Sequence, residues 1–175
     1  TLKCQVNKLT SLDVTKNTAL EYIYIDENEL TSLDVTKNTA LKTLKCERNK
    51  LTSLDVSKNT SLKYLTCERN ELTSLDVSNN TALEHLDCQV NKLTSLDVTQ
   101  NTALKYLRSA YNYDLPSLNV TKNTALETLS MFNTALASLD VSKNTALKFL
   151  YIGYNKLTSL NMRNGVTDKL STFNA

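Results

Sequence analysis

The phrase LTSLDV begins at Leu9 and returns at Leu30, Leu51, Leu72 and Leu93, each time 21 residues later. A variant, LPSLNV, begins at Leu115 after a step of 22. LASLDV and LTSLNM then follow at Leu136 and Leu157. A unit this short cannot bury its own apolar residues, so it must stack on its neighbours into one continuous core. Seven full units run from 9 to 156, with partial units at 1–8 and 157–175, and the chain reads as a single domain over 1–175. Gly occurs twice and Pro once, so no Gly/Pro-rich linker divides it.

Each unit carries a second phrase: LKTLKCERNKL from Leu41, LKYLTCERNEL from Leu62 and LEHLDCQVNKL from Leu83. This is the LxxLxL/CxxNxL pattern of leucine-rich repeats. Its alternation places one side of a short strand inward, and stacked units would pair those strands in parallel. The return phrase, LTSLDVSKNTA, is too short for a packed α-helix. The predicted fold is a mainly β repeat solenoid. It is a right-handed leucine-rich-repeat coil with a parallel β-sheet on one face, short extended or 3₁₀ return segments and little α-helix.

Three columns run through the repeats. The inward slot holds Cys4, Ile25, Cys46, Cys67, Cys88, Ser109, Met131, Ile152 and Ala175. Exchange with Ile and Met marks it as apolar, so the cysteines read as buried free thiols. Consecutive cysteines facing one way cannot all pair, and the slot offers no His or carboxylate for a metal. A second column is Asn7, Asn28, Asn49, Asn70, Asn91, Asn112 and Asn155, broken by Thr134. An inward Asn at a fixed turn can satisfy backbone groups of its own coil and the next. The third is Asp13, Asp34, Asp55, Asp76, Asp97, Asn119, Asp140 and Asn161. Each is expected to accept bonds from the Ser/Thr and backbone of its turn, and the Asn replacements argue against a continuous calcium row.

With the inward slots fixed by packing, information is left to the outward ones. One outward row is Tyr22, Thr43, Tyr64, His85, Tyr106, Thr128, Phe149 and Thr172. The next is Lys3, Tyr24, Lys45, Thr66, Asp87, Arg108, Ser130, Tyr151 and Asn174. All eight Tyr and two of the three Phe lie on or beside this face, with Phe173 assigned to a core slot. The return phrase carries no aromatic residue, which favours a contact face over generic strand preference. The candidate binding residues are Tyr106, Arg108, Tyr111, Tyr113, Phe132, Phe149, Tyr151 and Tyr154, with Tyr22, Tyr24 and Tyr64 secondary. The repeat becomes irregular in the same region, around Tyr113-Asp114 and Pro116. The middle of the face (Lys45, Glu47, Arg48, Glu68, Arg69, Asp87) reads as a solvated salt-bridge lattice.

LDVSKNT (Leu54 to Thr60) followed by LKYLTCERN (Leu62 to Asn70), with cysteine in the inward slot, resembles the internalin-like bacterial surface proteins with 21-residue leucine-rich repeats. The closing phrase LNMRNGVTDKLSTFNA also looks like the last repeat of secreted members. The resemblance implies an exported, extracellular or cell-surface protein acting in adhesion or partner binding, and a fragment of a longer chain.

Charge and chemistry narrow the rest. With 20 basic and 18 acidic side chains, the net charge of +2 gives no electrostatic grip on nucleic acid. No apolar run is long enough for direct membrane insertion. His85 is the single histidine, no nucleophile–base pair can be assigned, and no cofactor is expected. The expected function is therefore a non-catalytic protein-binding or adhesion module with a concave aromatic and charged face, a host surface protein being one candidate partner. Glycan binding and a structural spacer are the alternatives.

Overall fold

The computed structural model describes residues 1–165 and 171–174. Eleven strands occur among them: β1 (Leu2–Lys3), β2 (Tyr22–Tyr24), β3 (Thr43–Lys45), β4 (Tyr64–Thr66), β5 (His85–Asp87), β6 (Tyr106–Arg108), β7 (Thr128–Ser130), β8 (Ser138–Asp140), β9 (Phe149–Tyr151), β10 (Ser159–Asn161) and β11 (Thr172–Asn174). Nine form one parallel sheet in the order β1-β2-β3-β4-β5-β6-β7-β9-β11. Its register aligns every outward row residue for residue, as in His85 opposite Tyr106 and Asp87 opposite Arg108. The chain is thus a parallel β-solenoid, and no helix occurs among the described residues.

The return leg is made, as expected, of short extended and turn segments. Its tight turns are placed end to end. Asn59 N–H donates to the Val56 carbonyl and Leu62 N–H to that of Asn59, both at 2.9 Å. It also builds a second, two-stranded parallel sheet from β8 and β10, where only one sheet was expected.

Strands of three residues supply few ladder bonds, so the core must do more. Leu44, Leu65, Leu86, Leu107, Leu129 and Leu150 form one fully buried column, and Leu30, Leu51, Leu72, Leu93, Leu115 and Leu136 another. Each such side chain contributes roughly 1.5–3 kcal/mol through burial. Cys46, Cys67 and Cys88 are fully buried between them, and all four cysteines are free. Burial pushes their thiols up, that of Cys88 to about 12. The slot assigned to Ala175 lies outside the described residues. Phe173 follows Leu150 in register but is 48% exposed, because β11 is the edge of the sheet.

The asparagine column closes the corner after each strand. Asn70 Nδ2 donates to the carbonyls of Cys67 and Cys46 at 3.0 Å, and its Oδ1 accepts the Leu51 N–H at 3.0 Å. The partners lie in its own coil and in the coil before, not the coil after. Asn28, Asn49, Asn91 and Asn112 repeat the pattern. Asn155 takes on the neighbouring gap in the column. Its Oδ1 accepts both the N–H and the hydroxyl of Thr134, the latter at 2.6 Å.

The residue before each column member is left-handed: Val6, Glu27, Arg48, Arg69, Val90, Tyr111, Asn133 and Tyr154 have φ between 51° and 58°. None is glycine. All but Tyr154 donate their N–H to the adjacent coil, as Arg69 does to Gln89 at 3.1 Å, and those bonds oppose the steric cost of the left-handed region.

A second asparagine column, not singled out from the sequence, stacks Asn38, Asn59, Asn80, Asn101, Asn123 and Asn144 at the return turn, all fully buried. Asn80 Nδ2 donates to Val56 and Asn59 carbonyls at 3.0 and 2.9 Å. The two carbonyls fix the amide orientation, and the six Oδ1 atoms, buried, accept no bond.

Replacing Asn70 by Ala orphans the buried Leu51 N–H, while the Cys46 and Cys67 carbonyls lose one of their two amide donors and keep those of Asn49 and Asn91. The variant is expected to lose about 2 kcal/mol in urea unfolding, since one orphaned buried group costs roughly 1–3 kcal/mol. A loss below about 1 kcal/mol would mean the column is not holding the corner.

Candidate functional site

The outward row through the first strand position is partly a column of rings. His85 stacks on Tyr106 with centroids 4.1 Å apart and planes 5° apart, and Tyr64 stacks on His85 at 5.9 Å. Stacking and burial explain why His85, expected among exposed residues, is partly covered. Burial, then Lys45 and Arg108, hold its pKa below the ordinary 6.5. A separate aromatic group runs along the sheet edge. Tyr111 and Phe132 lie 5.8 Å apart, Phe132 and Tyr154 4.9 Å, and Tyr113 meets Tyr111 edge-on at 6.4 Å.

Between these two groups lies an open bowl of about 540 Å³. It is lined by Gln89, Tyr106, Arg108, Ala110, Tyr111, Thr128, Ser130, Phe132, Phe149, Tyr151 and Asn174. The volume falls in the range of pockets that hold small ligands. Six of the eight candidate residues therefore share one cavity: Tyr106, Arg108, Tyr111, Phe132, Phe149 and Tyr151. Tyr113 and Tyr154 do not line it; they are 62% and 78% exposed on its outer rim.

The bowl exists because small residues interrupt large ones. Thr128 and Ser130 form its floor on β7, between the Tyr106–Arg108 and Phe149–Tyr151 pairs on β6 and β9. The next outward row shows the same device. It runs Gln5, Asp26, Glu47, Glu68 and Gln89, then changes to Ala110, Phe132 and Gly153. Gly153 leaves room for both neighbours: a Cβ there would sit 2.6 Å from Asn174 Oδ1 and 3.2 Å from Phe132 Cε2, so those side chains would have to shift. The floor residues, Gln89 and Asn174 were missed from the sequence, where small and polar residues carry no signal until their neighbours are known.

The secondary candidates lie apart from the bowl. Tyr24 is flanked by the Lys3 and Lys45 ammonium groups, each 5.8 Å from its ring centre. Tyr22 shares strand β2 with it, and Tyr64 joins the bowl only through His85.

The charged middle is not the uniform solvated lattice expected. Arg48 and Arg69 do face Glu27 and Glu68 at 3.8 Å on the surface. Asp87, however, is only 6% exposed. Arg108 Nη1 lies 3.5 Å from its Oδ2 and 3.2 Å from the Tyr106 hydroxyl, and Gln89 N–H donates to its Oδ1 at 3.3 Å. Burial outweighs the Arg108 attraction, and Glu68 and Glu47 add repulsion, so its carboxyl is pushed up to about 6.

The aspartate row beneath the return phrase is engaged locally. Asp13 Oδ1 accepts the Thr15 N–H and hydroxyl at 2.9 and 2.7 Å, and Asp34 repeats this with Thr36. Among the described residues, no three His, Cys, Asp or Glu side chains converge as a metal site requires.

Asp87 supplies a pH test. Its folded pKa exceeds the ordinary 3.8, so the fold binds its proton more tightly than the unfolded chain does. That contribution is full below 3.8 and is lost as pH rises through about 6. His85 acts in the opposite sense and is common to both proteins in the comparison. From pH 4 to pH 8, Asp87→Asn is expected to gain about 2 kcal/mol on the unchanged chain in urea unfolding. A pH-independent difference would place Asp87 in solvent.

No protein-family model matches the chain, and no curated protein does. Solved structures do. The functional domain of InlJ from Listeria monocytogenes, which includes a cysteine ladder, is 34% identical with a TM-score of 0.77, over 98% of this chain and 43% of that one. An internalin, InlF, from the same species is 20% identical with a TM-score of 0.67, over 87% and 57%. The ectodomain of the Arabidopsis thaliana receptor kinase GASSHO1/SCHENGEN3, solved in complex with Casparian strip integrity factor 2, is 22% identical with a TM-score of 0.67, over 84% and 19%. The chain thus spans less than half of the InlJ chain. Its nine-stranded parallel sheet, its 21-residue period and its column of free, buried cysteines make it a leucine-rich-repeat protein of the internalin-like, cysteine-ladder kind.

Proposed function

We propose that this chain is a non-catalytic protein-binding module that acts in adhesion at a bacterial cell surface, and that the bowl over β6, β7 and β9 is its contact site. The observation that carries the reading is the bowl itself. Six aromatic and Arg side chains converge on one cavity, while on the rest of the same face Tyr22, Tyr24 and Tyr64 stand apart from it among charged and polar side chains. Tyr, Phe and Arg gathered around a depression are the residue types that dominate protein interfaces. The likeness to InlJ supports a surface protein, and the receptor ectodomain shows this fold accommodating a protein partner. No helix among the described residues is long and apolar enough to cross a membrane.

Glycan binding is the second reading, favoured by the polar groups of Gln89, Arg108 and Asn174 at the bowl's edge. One experiment separates the two. Tyr106, Phe132, Phe149 and Tyr151 are replaced together by Ser, folding is checked by circular dichroism, and retention on intact cells is measured. The unchanged chain should bind and the variant should lose about tenfold or more, as removal of interface anchors does. Protease treatment of the cells should abolish binding and glycosidase treatment should not. The reverse pattern would make the site a glycan seat, and equal retention of both proteins would make the chain a spacer.

A further inference from the structure

The ring column on the first outward row has one open gap. Tyr64, His85 and Tyr106 stack in succession, Thr128 follows, and Phe149 resumes the row. We propose that the gap over Thr128 is a receptor for a single aromatic side chain of a protein partner, which completes the column between Tyr106 and Phe149. This rests on the protein-binding reading given above and names the chemistry of its anchor.

Spacing makes the argument. Adjacent strands lie about 4.8 Å apart, so Tyr106 and Phe149 flank an interval of roughly 9–10 Å. A ring placed midway sits about 4.8 Å from each, inside the 4.1–5.9 Å range already present in the column. His85 covers one face of Tyr106, and the other turns toward the coil of Thr128.

A second gap in the same row shows what is special here. Thr43 stands between Tyr22 and Tyr64, but it is 8% exposed and closed over by its own surroundings. Thr128 remains half-buried, opening into the bowl.

Charge and hydrogen bonding favour a neutral, flat group. Among the described residues Arg108 is the one charged side chain lining the cavity, and Asp87 faces it at 3.5 Å. Ser130 on the floor is 6% exposed and offers little to a polyhydroxylated ring. Phe132, seated against Gly153, closes the side of the gap. An inserted ring would gain burial on several faces and stacking on Tyr106 and Phe149.

The chain contains no Trp, so the emission of a Trp-bearing probe can be followed without background. The capped tripeptide Ac-Gly-Trp-Gly-NH2 is titrated with the intact protein. A saturable blue shift is expected. Thr128→Phe fills the gap with a ring of the kind this row already holds and should weaken the probe by about tenfold or more. Thr128→Val, which leaves the gap open, should bind like the unchanged chain. Circular dichroism and thermal melting establish that both variants fold. No saturable shift, undiminished binding by a folded Thr128→Phe, or displacement of the probe by methyl β-glucopyranoside would each overturn the proposal. The four-serine variant on cells removes the walls of the gap together with the rest of the bowl, and reads the partner without the probe. A loss there with a silent probe would sink the receptor alone and leave the binding face standing.

Discussion

The rest of this molecule depends on the side-chain amide of the asparagine that closes the corner of every coil but that of Thr134. A unit of 21 residues turns two sharp corners, and each corner leaves buried backbone groups that no three-residue strand can pair. An orphaned buried carbonyl or N–H costs more than the typical net gain of a hydrogen bond. The asparagine amide supplies donors and an acceptor at once, and here it reaches into the coil before, as Asn49 does to the Ile25 carbonyl at 3.0 Å and the Leu30 N–H at 3.0 Å. Leucine columns then close over a backbone that is already satisfied.

That constraint also decides where variation is allowed. The left-handed residue before the asparagine is held, in all but Tyr154, by its bonded N–H, so its side chain is free to change. Val, Glu, Arg, Asn and Tyr all occupy the slot. Tyr111 and Tyr154 are two of its occupants, and they build the aromatic edge of the bowl with Phe132. The same regular register that fixes the inside turns single outward substitutions into shape. Thr128 and Ser130 between larger neighbours open a cavity, and Gly153 lets Phe132 close one wall of it.

The columns were legible because period converts directly into stacking. The outward rows followed from the same count, and six of the eight residues singled out share a cavity. What escaped was whatever depends on the sizes of neighbours in adjacent coils. Asp87 looked like one of several surface charges, yet its place beside Arg108 and Gln89 buries it. Tyr113 and Tyr154 are exposed and do not line the cavity. The second asparagine column was as periodic as the first, but its Asn-Thr context reads equally well as an exposed turn. The pairing of β8 with β10 has no marker in LASLDV or LTSLNM that the other return phrases lack.

The central claim is that the asparagine amides bind coil to coil as firmly as the sheet does. Native-state hydrogen exchange tests this residue by residue. The Leu30, Leu51, Leu72 and Leu93 amides donate to asparagine Oδ1 atoms and lie outside every strand. The account predicts that they exchange as slowly as the buried strand amides of Leu44, Leu65 and Leu86. Exchange at the rate of exposed turns, with the strand amides still protected, would contradict it.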